Sequence, residues 1–243
     1  MKAHLNTVII AVAIVVVGFV LAKGYANRGK TNQSISVTGL GEQNFTSDLI
    51  VWRGSFSRKE MDLKRANQEL NKDMKEIKSY LKSKGLNDDE IIFEGVNINR
   101  DYYYDYDQYG TLRNTIFNGY VLTQNLKVQS KNVDLVESIS RQVTDLLDKG
   151  VEFNSYSPEF YYTKLSELKL QMIEAATIDA RERADKIASN AGSALGNLKN
   201  AEMGVFQITA ENSSEDFSWG GSFNTSSKKK KASITVRLKY DIN

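Results

Sequence analysis

The chain has no cysteine, one histidine and one proline among its 243 residues. Without cysteine there is no disulfide, no thiol nucleophile, no sulfur metal ligand and no lipid-modified cysteine. The one histidine, His4, precedes the folded part, so histidine-based nucleophile–base pairs are excluded too. With Pro158 the only proline, loops must turn on Gly, Asn, Asp and Ser. A net charge of +2 gives no electrostatic footprint for nucleic acid, and none is expected as a partner. With 41% hydrophobic and 26% charged residues the composition is ordinary for a globular protein, enough for one large domain or two small ones.

What the chain does have is an apolar start. Val8 to Ala22 carries no polar side chain; Lys2 precedes it and Lys23, Arg28 and Lys30 follow. Such a run is a targeting or anchoring element. Two readings stand. A cleaved signal peptide would use Lys2 as its basic start and Ala22 or Ala26 before the cut. An uncleaved anchor would use residues 5–22, which just reach the length a crossing takes. The flanking charges are richer on the C-terminal side, which argues for a cytoplasmic body.

Beyond a polar linker over residues 23–33, alternation predicts strands over Ser34–Gly41 and Asp48–Arg58, with a turn at Gln43–Ser47. Leu63, Ala66, Leu70, Met74, Ile77 and Leu81 recur at helical spacing, with Gly85 placed as a cap. Strands follow at Ile91–Arg100 and Gly119–Ser130, flanking a tyrosine-rich hairpin tip or strand ends at Asp101–Gly110. Asn132 caps a second helix reaching Lys149. Then come a strand over Phe153–Tyr162, a long alanine-striped helix over Lys164–Ala194, and strands at Leu198–Ala210 and Ser233–Tyr240. Between the last two, Glu211–Lys231 reads as a flexible loop. The expected class is α+β: an N-terminal membrane segment (1–33), then a two-lobed α/β body (34–243) with antiparallel sheets covered by helices. The outer lobe is read as 34–90 with 163–243, and an inserted lobe as 91–162.

Three segments resemble the SIMPL-domain family of bacterial envelope proteins, which includes a periplasmic immunogenic protein. Ile35-Ser-Val-Thr-Gly-Leu-Gly-Glu42 is similar to its opening strand. Tyr120–Val128 with Val133–Gly150 is similar to its central strand and helix. Glu174–Ala188, followed by Gly192 and Leu195-Gly196, is similar to its long alanine-rich helix. One departure is Ser47-Asp48, where the family usually has Pro-Asp. The resemblance implies an exported body in the cell envelope, either anchored in the inner membrane and facing the periplasm or free in the periplasm after cleavage. It also implies a two-lobed fold, assembly into large rings, and links to envelope stress. It brings no catalytic residue, so none is carried over.

The most unusual local feature is the cluster Tyr102, Tyr103, Tyr104, Tyr106 and Tyr109. Tyrosine offers large amphipathic area at low entropic cost, which suits contact between molecules or stacking on a sugar. The plainer alternative is tyrosines packing on the faces of a hairpin. Asp101, Asp105 and Asp107 fall near a calcium-loop spacing, but Tyr109 takes the next ligand position and Ile116 that of the bidentate glutamate. No metal and no cofactor is expected. Lys228–Lys231 reads as a solvated loop guarding a strand, or as a contact for acidic headgroups. Asp179, Arg181, Glu182, Arg183 and Asp185 read as ion pairs on a helix surface. Gly39 and Gly41 read as a bulge or close approach, since they precede no helix N-terminus that could hold phosphate. The leading expectation is a non-enzymatic, homo-oligomeric envelope protein held at the membrane through residues 5–22. The alternatives are a small-molecule or glycan binding module using residues 102–109, and a carboxylate-based hydrolase. The sequence names no ligand.

Overall fold

A computed structural model describes residues 2–30, 33–214 and 218–242, and within the first helix the side chains of residues 10–25. That helix, α1 (Lys2–Lys30), continues through most of the stretch read as linker; Thr31 and Asn32 lie outside the described residues. From Ile10 to Leu21 its large apolar side chains are exposed. Among the described residues no helix is long and apolar enough to cross a membrane. The side chains of residues 5–9, part of the span read from the sequence, lie outside them.

The body is two antiparallel sheets, each covered on one face by helix. The first contains β1 (Ser34–Thr46), β7 (Leu195–Met203), β8 (Gln207–Ala210) and β9 (Lys229–Ile242). β9 is central, with β1 along one edge and β7 and β8 sharing the other. Helix α4 (Leu165–Asn190) covers it, and Ile35, Val37, Met172, Ala180, Val236 and Leu238 belong to their shared core. The second sheet has the order β3 (Ile91–Tyr106), β4 (Leu112–Ser130), β2 (Leu49–Glu60), with β5 (Phe153–Ser155) and β6 (Glu159–Tyr161) sharing the far edge of β2. Helices α2 (Leu63–Ser83) and α3 (Val133–Gln142) cover it around Trp52, Phe56, Leu70, Ile77, Leu122 and Val136. The chain is therefore α+β with antiparallel sheets.

The pairing differs from the sequence reading in one large respect. β2 and α2, read as part of the outer lobe, share their sheet and core with residues 91–162. The changeover lies at Ser47-Asp48, not near residue 90. There Ser47 N–H donates to Lys228 O (2.9 Å) and Asp48 N–H to Tyr161 O (3.0 Å). The Asp48 carboxylate accepts from the backbone N–H and the hydroxyl of Thr163, both at 2.7 Å, tying the two crossing chains together.

Smaller differences have local causes. β1 runs to Thr46, so the Gln43–Ser47 turn shrinks to Ser47-Asp48, because β9 offers partners along the whole length of β1. The single strand read over 153–162 splits into β5 and β6 around Pro158, which has no N–H to donate to a ladder. The strand read over 198–210 divides into β7 and β8 at Gly204. After α3 the chain tightens into a 3-10 turn, Val143–Lys149, ended by Gly150. Asn132 does cap α3, its side-chain oxygen accepting from Leu135 N–H (3.3 Å). At the end of α2 the N–H groups of Gly85 and Leu86 reach back to the carbonyls of Lys82 and Leu81 (3.0 and 3.2 Å).

The alanine stripe is explained by Gly39 and Gly41 of β1. A Cβ on Gly39 would stand 2.1 Å from Ala176 O and 2.7 Å from the Ala180 Cβ. Strand and helix thus meet backbone to backbone, and only glycine against alanine permits it. Ala176, Ala180 and Ala184 are fully buried on this face.

Candidate functional site

Beyond Arg100 and before Gly119, β3 and β4 leave β2 behind and continue as a two-stranded arm. The arm begins where β2 ends: Glu60 is the last β2 residue paired with β4, opposite Tyr120. Gly119 sits beside that end at φ +110, and a Cβ there would meet Glu60 O at 2.8 Å. A left-handed, side-chain-free residue lets β4 pass the turn and go on alone. Register shifts between Arg100 and Tyr102 and between Asp105 and Tyr106 interrupt the ladder. Such bulges bend and twist a ribbon.

The five tyrosines singled out from the sequence all lie on this arm. Tyr102 pairs with Phe117, Tyr103 with Ile116, Tyr104 with Thr115 and Tyr106 with Leu112, while Tyr109 is in the terminal turn. All five are exposed, Tyr109 to 83%. Successive strand residues point to opposite faces, so Tyr103 and Tyr104 present rings on both sides of the ribbon. Leu112 and Ile116 add exposed aliphatic area. Only Tyr102 has a ring contact within the arm. It stands edge-on to Phe117 at 5.8 Å between centroids, and Phe117 in turn stands edge-on to Tyr120 at 5.1 Å. That row roots the arm in the core, since Tyr120 packs against it.

Two of the aspartates, Asp101 and Asp107, have structural work. Asp107 Oδ1 accepts from the N–H groups of Tyr109 (2.8 Å) and Thr111 (2.9 Å), shaping the terminal turn. Asp101 accepts from Lys59 Nζ (2.5 Å) and Asn118 Nδ2 (2.8 Å), and these neighbours hold its carboxyl below the usual range. The tyrosines of the arm line neither a surface cavity beside Trp219 nor one between α4 and β7.

The lysine run is placed differently from either sequence reading. Lys229–Lys231 belong to β9, and alternation turns Lys230 inward, where it is 1% exposed. Its ammonium donates to Phe160 O, and burial pulls its pKa down to about 8. Lys228 pairs with Asp134 and with Glu137 (3.4 Å) of α3, and Lys231 with Glu42 (2.8 Å). The run therefore joins the two sheets instead of standing in solvent. In the charged band of α4, Asp179 pairs with Arg183 (2.9 Å) and also accepts from Leu40 N–H (2.8 Å) on the free edge of β1. The backbone bond and then the guanidinium keep the Asp179 carboxyl below its usual range. Among the described residues there is no group of three acidic or histidine side chains placed to hold a metal. Sequence reasoning missed Trp219, a fully exposed indole in the 211–228 loop.

A search of curated proteins finds no match. A family model described as "SIMPL: Protein of unknown function (DUF541)" matches residues 35–240, from the first residues of β1 to the end of the β9 core. The match takes in both sheets and all three covering helices, and the chain belongs to the SIMPL family.

Proposed function

We propose that this SIMPL protein is a non-enzymatic component of the cell envelope whose body assembles with copies of itself through the β3–β4 arm. The observation that carries the reading is the arm: a ribbon with tyrosines on both faces and no helix over it. An exposed patch of this kind is costly in water unless something covers it, and tyrosines interspersed with charges suit a partly wet interface. Both strand edges are free along the outer part of the arm, so backbone pairing can add to side-chain contact. The apolar run over residues 5–22 serves as the membrane attachment, with the body on the far side and a role under envelope stress.

Native mass spectrometry of the full chain tests assembly directly. Discrete multiples of the chain mass are expected at micromolar concentration. A single-chain mass throughout that range overturns the self-assembly reading.

A further inference from the structure

A second surface, on the opposite side of the β1–β9 sheet from α4, is built differently. Here Leu40 of β1, Thr235 of β9 and Val205 line a cavity of about 620 Å³ with Trp219 at its rim. Its walls are mainly apolar, the character of a small-molecule site. Trp219 is 100% exposed. Yet it sits on a fixed turn. The buried Gln207 side chain accepts from the N–H groups of Ser218 (3.3 Å) and Ser222 (2.7 Å) and donates to Ser218 O (2.7 Å). Gly221 N–H closes the turn on Ser218 O (3.0 Å), and Ile208 N–H donates to Ser222 O (2.7 Å). Leu40 is equally held, through Asp179. An indole kept in water by a dedicated buried amide loses apolar stabilisation that a ligand would restore.

The charge beside the cavity selects the ligand. Arg237 lies two residues beyond Thr235 on the same face of β9, about 7 Å along the strand. Its cross-strand neighbours are Thr38 and Glu202. Glu202 instead accepts from Asn200 Nδ2 (3.0 Å), and Arg237 has no ion-pair partner among the described residues. Lys239 follows on the same face. At the other end of the cavity Glu42 is already engaged by Lys231. We propose that this cleft binds a free single-chain anionic amphiphile, its apolar body against Trp219, Leu40 and Val205 and its carboxylate or sulfate on Arg237. A planar guanidinium suits either head group, since both accept two parallel hydrogen bonds. This site is separate from the tyrosine arm, and its fate does not decide the assembly reading.

The test is photolabelling of the full chain with dodecanoate bearing a terminal alkyl diazirine, mapped by peptide mass spectrometry. Mapping by position separates this cleft from the apolar α1, which can itself take up amphiphiles. Adducts are expected on peptides holding Leu40, Val205 or Trp219, displaced by unlabelled dodecanoate but not by dodecyltrimethylammonium. Arg237→Gln should lower labelling of those peptides at least fivefold with an unchanged circular dichroism spectrum. In a parallel titration, tryptophan emission should shift to the blue, and Trp219→Phe should abolish the shift, because the other tryptophan, Trp52, is fully buried. Labelling confined to residues 8–22, equal competition by the cation, or indifference to Arg237→Gln overturns the proposal. So does competition by phosphatidylglycerol vesicles as effective as that by free dodecanoate, which would make this face a membrane contact.

Discussion

Lys230 shows how one inward position rewrites a run of four like charges. A buried ammonium with one carbonyl partner and the Phe223 ring 5.9 Å away is incompletely compensated, so burial shifts its equilibrium toward the neutral amine. Its pKa of about 8 lies below the ordinary 10.5 of the unfolded chain. Between those values the unfolded state binds more protons, so stability rises with pH through this window and the penalty is complete below it. Urea midpoints measured from pH 7 to 10.5 should climb in the wild type and climb less in Lys230→Met. Parallel curves would place the ammonium in water. Ser47 offers a second residue-scale test. Its hydroxyl is buried without a hydrogen-bond partner. Ser47→Ala should gain about 1 kcal/mol in chemical denaturation, because it removes an orphaned polar group while keeping the N–H bond to Lys228 O. A loss of stability would mean the hydroxyl has a partner. Lys230 was legible in principle. The period-two run Leu238, Val236, Ile234, Ala232 lands on it, but four consecutive lysines outweigh alternation when a sequence is read by composition.

At the scale of elements, the α4–β1 contact makes the sharpest claim. Ala180→Leu forces a branched side chain between two backbones in contact, and should cost about 3 kcal/mol. Arg183→Ala, on the exposed face, should cost under about 0.5 kcal/mol despite the ion pair with Asp179. Equal costs in urea denaturation would place the wrong face inward. The arm makes the opposite kind of claim. Serine at Tyr103, Tyr104 and Tyr106 should reduce the association state while shifting the thermal midpoint by less than about 3 °C, since none of the three belongs to the core. Unfolding with unchanged association would return these rings to the core. The helices were readable because their apolar spacing is local and Gly85 and Gly192 follow the ends of α2 and α4, whereas Gly150 ends the 3-10 turn that cuts α3 short at Gln142. The strands around Pro158 and Gly204 were merged because their apolar alternation continues across the break, and only the loss of a ladder partner divides them. The reach of the arm was not legible, because Tyr, Asn and Thr alternate in a covered strand and in a bare ribbon alike.

For the whole molecule, the two-sheet plan was legible and its partition was not. β1 finds its partner in β9, from the opposite end of the chain, and no local pattern announces a pairing at that separation. Once β1 is taken, β2 is free to start the other sheet, which is why the changeover falls at Ser47-Asp48. The proposed placement of the body beyond the membrane is tested by fusing paired reporters after Asn243. The export-active reporter should work and the cytoplasmic one stay silent; the reverse would uphold the charge count of Lys23, Arg28 and Lys30.

The β1–β9 pairing also decides how the body answers a pull. Ser34 stands opposite Asp241, and Ile242 N–H donates to Gln33 O (3.3 Å), so both ends of the body leave from one corner of the same sheet. Tension between α1 and the C-terminus therefore acts across the ladder at its last rung, and antiparallel rungs lie perpendicular to the strands. They yield in succession, like a zipper, at far lower force than if the ends left from opposite corners and all rungs sheared together. Anything tugging on the C-terminus of a tethered copy would open this sheet from the corner inward, reaching the rungs around Gly39 and Leu40 before those beside Lys230.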